Sequence, residues 1–253
     1  MTAAEELPFV APCRELPALA PLGWVRLGWA DFRRAPGPSG TYGLLVVGIS
    51  WLVTLLAFRL GSYVLVLAAL SGFVFVAPVI AIGLYEVARQ VARGESPSVT
   101  AAVKGTRRAF GDAMVFSLAL LVVFLVWARA ASAVSIFLPV GVDATPLEFI
   151  AYFGVGSVVG LLFAAITFSS SAFSLPMIAD RQTDAVTALV TSINAVLRNK
   201  GAMVVWAGVI VLAVVAGFAT GFLAFGVLIP VLGYATWHGY RATIDASGWP
   251  PAP

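Results

Sequence analysis

Residues 202–237 read AMVVWAGVIVLAVVAGFATGFLAFGVLIPVLGYATW, an unbroken run without a single charge. A bilayer core of about 30 Å is crossed by about 20 apolar residues in a helix, so the run is too long for one crossing and suits two. Gly217 and Gly221, with Thr220 between them, offer a tight turn in its middle. Two full crossings (203–218 and 220–237) or a re-entrant pair both satisfy the pattern. Working outward, comparable apolar runs occupy 42–60, 62–85, 114–138 and 150–178. The third is short if it stops at Trp127, but it continues if Arg129 extends its aliphatic stem and carries its charge to the interface. The count is six spans. Composition agrees: 60% hydrophobic and 11% charged residues, with mean hydropathy +0.98, leave too little polar surface for a soluble globule.

The expected fold is therefore all-α, a polytopic membrane protein with six transmembrane helices. Orientation follows from the 15 Lys and Arg residues, because short loops rich in them stay cytoplasmic. Arg14, Arg26, Arg33 and Arg34 precede the first span; Arg89, Arg93, Lys104, Arg107 and Arg108 separate the second from the third. Arg181, Arg198 and Lys200 separate the fourth from the fifth, and Arg241 follows the sixth. Only Arg59 and Arg129 fall on the other side, so both termini are expected in the cytoplasm. The sequence pI of 9.3 reports this asymmetry, not nucleic-acid binding. The first residues carry Glu5, Glu6, Glu15 and several prolines, which does not read as a cleavable signal. The expected organisation is a flexible cytoplasmic segment at 1–21, one membrane domain at 22–244 and a flexible cytoplasmic tail at 245–253. Cys13 is the sole cysteine, so no intrachain disulfide and no multi-thiolate metal site can form.

An internal repeat organises the membrane domain. Arg33-Arg34-Ala35-Pro36-Gly37 recurs as Arg107-Arg108-Ala109-Phe110-Gly111 and, more weakly, as Arg198-Asn199-Lys200-Gly201. Each copy follows a segment with one apolar helical stripe: Leu22, Val25, Trp29 and Phe32; Val99, Val103 and Phe110; Val186, Val190, Ile193 and Leu197. This pattern predicts three cytoplasmic amphipathic helices lying in the interface, with starts near Ser96-Pro97 and Thr183-Asp184 for the second and third. Arg33, Arg34, Arg107, Arg108, Arg198 and Lys200 would face anionic lipid headgroups. Each helix precedes a two-span hairpin, giving units at about 22–86, 97–179 and 184–241. The second span of every hairpin carries one proline, at Pro78, Pro176 and Pro230. Such prolines kink helices and serve packing, or they open a shared cavity. Gly156 and Gly160, like Gly217 and Gly221, have the small-xxx-small spacing that lets helices approach.

Five further segments carry a resemblance: Gly28-Trp29-Ala30-Asp31-Phe32-Arg33-Arg34-Ala35-Pro36, Gly83-Leu84-Tyr85-Glu86, Ser174-Leu175-Pro176, Asp180-Arg181 and Ala235-Thr236-Trp237-His238-Gly239-Tyr240-Arg241. Over about 22–244 the chain resembles a bacterial family of predicted integral membrane proteins, domain of unknown function 2189. Some members of that family bear the label cytochrome c oxidase subunit I, which implies haem and copper. The sequence argues against it, because two haems and a copper need several imidazoles inside the spans and His238 is the single histidine. No cofactor and no metal are expected.

Other chemistry is equally sparse. No carboxylate falls mid-span, which removes the usual mark of a proton or cation path. Glu86, Asp180, Arg181, His238 and Arg241 at the cytoplasmic face are the nearest thing to a site; solvated loop charges and helix caps explain them as well. Thr167, Ser169, Ser170, Ser171 and Ser174 either bond helices together or line a polar cavity. Two functions survive. One is a non-catalytic accessory, scaffold or assembly partner of another membrane complex. The other is a small transporter or lipid-handling protein with a cavity at the proline kinks. Neither is an enzyme. The expected partners are the lipid bilayer and its anionic lipids, with no nucleic acid, and the expected location is a bacterial inner membrane. Oligomeric state leaves no mark on the sequence.

Overall fold

A computed structural model describes residues 8–60, 63–139, 141 and 144–252. Glu5 and Glu6 of the expected flexible N-terminus, Ser62 at the start of the second span and Pro253 lie outside the described residues. Ten helices follow one another among them: α1 (Ala20–Arg34), α2 (Pro36–Leu60), α3 (Tyr63–Ala92), α4 (Val99–Arg108), α5 (Phe110–Phe137), α6 (Pro146–Ser171), α7 (Ser174–Asp180), α8 (Ala185–Arg198), α9 (Lys200–Ala219) and α10 (Phe225–Thr243).

Local chemistry explains their ends. Pro146 opens α6 behind a reciprocal Thr145–Glu148 capping box. Asp184 caps α8 by accepting the N–H groups of Val186 and Thr187. Ser98, two residues beyond the expected Ser96-Pro97 start, caps α4. The repeated basic motif becomes a one-residue joint. Ala35 closes α1 by donating its N–H to Asp31 and accepts from Ser39 of α2; Ala109 does the same between Gly105 and Ala113. Asn199 bridges Ala195 and Met203 in the third copy. All three joint residues are buried.

The six expected spans are revised at two places. Five helices, or helix pairs, are long and apolar enough to cross a membrane among the described residues: Pro36–Arg59, Val74–Ala92, Phe110–Phe137, Pro146–Asp180 and Lys200–Ala219. The sixth expected span, α10, falls short of that standard because its second half carries Thr236, Trp237, His238, Tyr240 and Arg241. The fourth is not one helix. It breaks after Ser171 and resumes as α7 at Ser174, with Pro176 in its first turn, whereas Pro78 and Pro230 lie inside α3 and α10.

The core lies at the end of the bundle where the basic residues gather. Trp24 of α1 meets Trp206 edge-on at 5.6 Å and Phe173 at 6.1 Å, beside fully buried Trp237, Tyr234, Tyr240, Phe116 and Met177. Close backbone approach makes this possible. A Cβ on Gly28 would come within 2.6 Å of the Val231 carbonyl, and one on Gly43 within 2.0 Å of the Gly226 carbonyl. Gly226 is the residue whose carbonyl loses its helical N–H partner because Pro230 has none. Gly156 and Gly160, expected at a helix contact, instead have nothing within 4 Å of an added Cβ. Away from the core the picture inverts. Between Ser117 and Ser170 no described residue is buried, so most of α5 and α6 shows apolar surface outward.

The three short helices share a further pattern. Each buries a face with small residues at its close contacts: Ala102, Gly105 and Thr106 in α4 and Ala185, Ala188, Thr191, Ser192 and Ala195 in α8, whereas α1 buries Gly28 beside the larger Pro21, Trp24 and Asp31. Of the large apolar stripes read from the sequence, Leu22, Trp29, Val103, Phe110, Val186 and Leu197 are exposed, whereas Val25 and Phe32 pack against the core and Val99, Val190 and Ile193 are half-buried. Arg33, Arg34, Arg107, Arg108, Arg198 and Lys200 are exposed too. The end segments expected to be flexible are bonded to this face. Arg14 donates its N–H to Thr243 and Asp245 donates to Pro12, while Ala246 and Trp249 are buried.

Candidate functional site

The five residues singled out at the basic face do not form one ring; they divide among three places. Glu86, on α3, is buried at 3% side-chain exposure and accepts two hydrogen bonds from Arg89, at 2.6 and 3.0 Å. Arg108 of α4 stands 4.0 Å away. Gly105 lies so close that an added Cβ would overlap the Glu86 carboxyl carbon at 2.2 Å. Asp180, at the end of α7, accepts from the Tyr240 hydroxyl at 2.9 Å and from Arg181 Nε at 3.1 Å; Arg181 also donates to the Trp249 carbonyl. His238 Nε2 is 2.6 Å from Oδ2 of buried Asp31, whose other oxygen is 3.8 Å from Arg34. Arg241 is exposed, shares a small cleft with Asp180 and Arg181, and offers its backbone carbonyl to Arg14.

Glu86 and Arg181 meet at a cleft of about 690 Å³ on the basic face, shared with Arg108, Asp112, Thr183 and Asp184. The Thr183 hydroxyl is buried there and has no hydrogen-bond partner. Burial alone would raise the Asp184 carboxyl, but the hydrogen bonds from Thr187 and Val186 outweigh it and hold that carboxyl below its ordinary value. Burial pushes the Cys13 thiol up, outweighing the Asn194 amide and Arg198 beside it, so it is a poor nucleophile.

A second space lies within the apolar bundle. The helix break at 172–173 creates it. α7 packs against α3, whereas α6 packs on α5 and α8, so α6 diverges from α3 and leaves a groove of about 760 Å³ between α3, α5 and α6. Pro78, Ala77 and Ala81 form one wall, Phe116, Phe124 and Trp127 a second, and Gly160, Phe163 and Ala164 a third. A smaller space of about 290 Å³ lies on the other side of α3 and shares Ala77, Ala81 and Tyr85 with it. The hydroxyl cluster stabilises the break itself. Ser192 of α8 accepts the Phe173 N–H at 3.0 Å and donates to the Ser169 carbonyl at 2.8 Å, and Ser174 donates to Ser170 and Ala188. Ser174 and Ser192 therefore bond helices together, whereas Ser169 and Ser171 donate to carbonyls of their own helix and Thr167 and Ser171 line the groove.

The structure adds Asp31, Arg89, Thr183 and Tyr240 to the residues read from sequence. Asp31 left a signal, being a lone acid inside the basic turn of α1; Thr183 was marked only as part of a helix start and Tyr240 only as part of a resembling segment. Haem and copper do not fit. The lone imidazole is engaged with Asp31, and among the described residues no three His, Cys, Asp or Glu side chains come together.

A family model described as a predicted integral membrane protein (DUF2189) matches residues 65–180. The match takes in the motifs at 83–86 and 174–180, whereas those at 28–36 and 235–241 fall outside it. No curated protein and no solved structure matches the chain. The protein is thus an integral membrane protein with several apolar helices.

Proposed function

We propose that the protein holds a lipid in the groove between α3, α5 and α6, as a non-catalytic lipid-handling component of a bacterial inner membrane. The observation that carries this reading is the groove itself: a solid bundle would suffice for a scaffold, whereas this one keeps an apolar space within the usual 300–1,000 Å³ or so of ligand sites, beside Pro78 and next to the break at 172–173 that precedes Pro176. On this reading α10 crosses as a sixth span, its polar second half shielded by α1, and the helices form three hairpins. The basic face then lies in the cytoplasm with both termini. The exposed stripe residues of α1, α4 and α8 sink into the inner leaflet while their terminal arginines and Lys200 meet anionic headgroups.

Purification in native lipid followed by native mass spectrometry tests the proposal. Retention of about one lipid per chain through mild delipidation is expected; a chain that releases every lipid together would overturn it. The exposed stripe residues also favour a second reading, an accessory protein docked on a larger membrane complex, and stoichiometric recovery of such a complex in the same experiment would support that one.

A further inference from the structure

We propose that the cleft and the groove are the two halves of one site, and that its occupant is a phospholipid whose head carries both a phosphate and an ammonium group. This rests on the groove being a lipid seat. The two spaces are stacked. Along α5, Asp112 lines the cleft and Phe116, one turn further, lines the groove; along α7, Ile178 and Ala179 line the cleft and Leu175 the groove. One turn is about 5.4 Å. From Phe116 to Trp127 the groove runs about 16 Å at 1.5 Å per residue, which matches one leaflet of a core about 30 Å thick. It is therefore as long as one acyl chain's share of the bilayer.

The head is read from the cleft. Arg108 is partly exposed and only loosely paired, 4.0 Å from a Glu86 that Arg89 already holds, so its guanidinium is available for a phosphate. Arg181 lines the same cleft, its charge shared among Asp180, the Trp249 carbonyl and Tyr240. The unpartnered Thr183 hydroxyl adds a donor in the same wall. Facing them, Asp112 and Asp184 line the same cleft. A head bearing only negative charge would bring its phosphate against those two carboxylates, whereas an ammonium meets them with opposite charge.

The test is native mass spectrometry of the protein in nanodiscs containing equal phosphatidylethanolamine and phosphatidylglycerol. The retained adduct is expected to be phosphatidylethanolamine by tenfold or more. Asp112→Asn should bring the two lipids to near parity while keeping an adduct. Gly160→Leu, whose side chain grows into open groove, should reduce retention of both about tenfold. Equal retention of both lipids by the wild-type chain, lost in Gly160→Leu, would overturn the head assignment and leave the groove reading standing. Undiminished retention in a folded Gly160→Leu would overturn both, as would a wild-type chain that keeps neither lipid. The wild-type comparison needs no variant, so a misfolded substitution does not blunt it.

Discussion

Glycine does opposite work at different positions. At Gly28 an added methyl meets backbone of α10, at 2.6 Å from the Val231 carbonyl and 2.7 Å from the Ala235 nitrogen, and backbone cannot step aside. Gly28→Ala is expected to cost about 1–3 kcal/mol and to lower the melting temperature in detergent, whereas Gly156→Ala, with nothing within 4 Å, should leave it unchanged or slightly raised. Equal effects of the two would contradict the close α1–α10 crossing. Cys13 gives a second residue-scale expectation. With its thiol pushed up by burial, maleimide labelling of the folded protein should lag behind that of the denatured chain at neutral pH and catch up as the solution becomes alkaline. The buried Asp31 is paired with His238 at 2.6 Å, and His238→Ala, which leaves that carboxylate without its ring partner, should destabilise more than His238→Asn.

At the scale of elements, α8 fastens the break that opens the groove. Ser192→Ala removes an acceptor for Phe173 and a donor to Ser169 at once, so a loss of about 1–3 kcal/mol is expected, read as a lower melting temperature. The cap at its start has a pH signature. The Asp184 carboxyl lies below its ordinary value when folded, so its contribution is present above the unfolded carboxylate's pKa and fades as pH falls through the lower folded one. The stability gap between wild type and Asp184→Ala, about 1 kcal/mol at neutral pH, should close in acid; a gap independent of pH would refute the assignment. Helix order, the three basic joints and the exposed members of the apolar stripes were legible because periodicity and charge are local properties. The buried faces of α1, α4 and α8 were not, since small residues such as Gly105 and Ala188 carry no hydropathic signal and only the partner surface reveals that they face inward. The break in the fourth span escaped for a related reason. Pro176 is visible in sequence, but Ser192, which receives the freed Phe173 N–H, is 19 residues away. Of the site, the charged residues could be named, yet their division among separate clusters depends on contacts such as Tyr240 to Asp180 that sequence spacing does not encode.

For the whole molecule the decisive expectation is sidedness. In a Cys13→Ser background, Glu95→Cys and Ser247→Cys should react with a membrane-impermeant thiol reagent only from the cytoplasmic side, and Gly141→Cys and Leu223→Cys only from the opposite side. Cytoplasmic labelling at Leu223→Cys would make α9 and α10 a re-entrant pair. The absence of any buried described residue between Ser117 and Ser170 carries a mechanical consequence. That arm of α5 and α6 joins the buried core at one end only, so in a bilayer it would be among the more compliant parts of the molecule. Hydrophobic mismatch is relieved by tilting whatever tilts at least cost, and here that is the arm which also forms two walls of the groove. On the proposed lipid reading, bilayer thickness would set the aperture of the groove, and the protein's grip on its occupant would become a function of the membrane in which it sits.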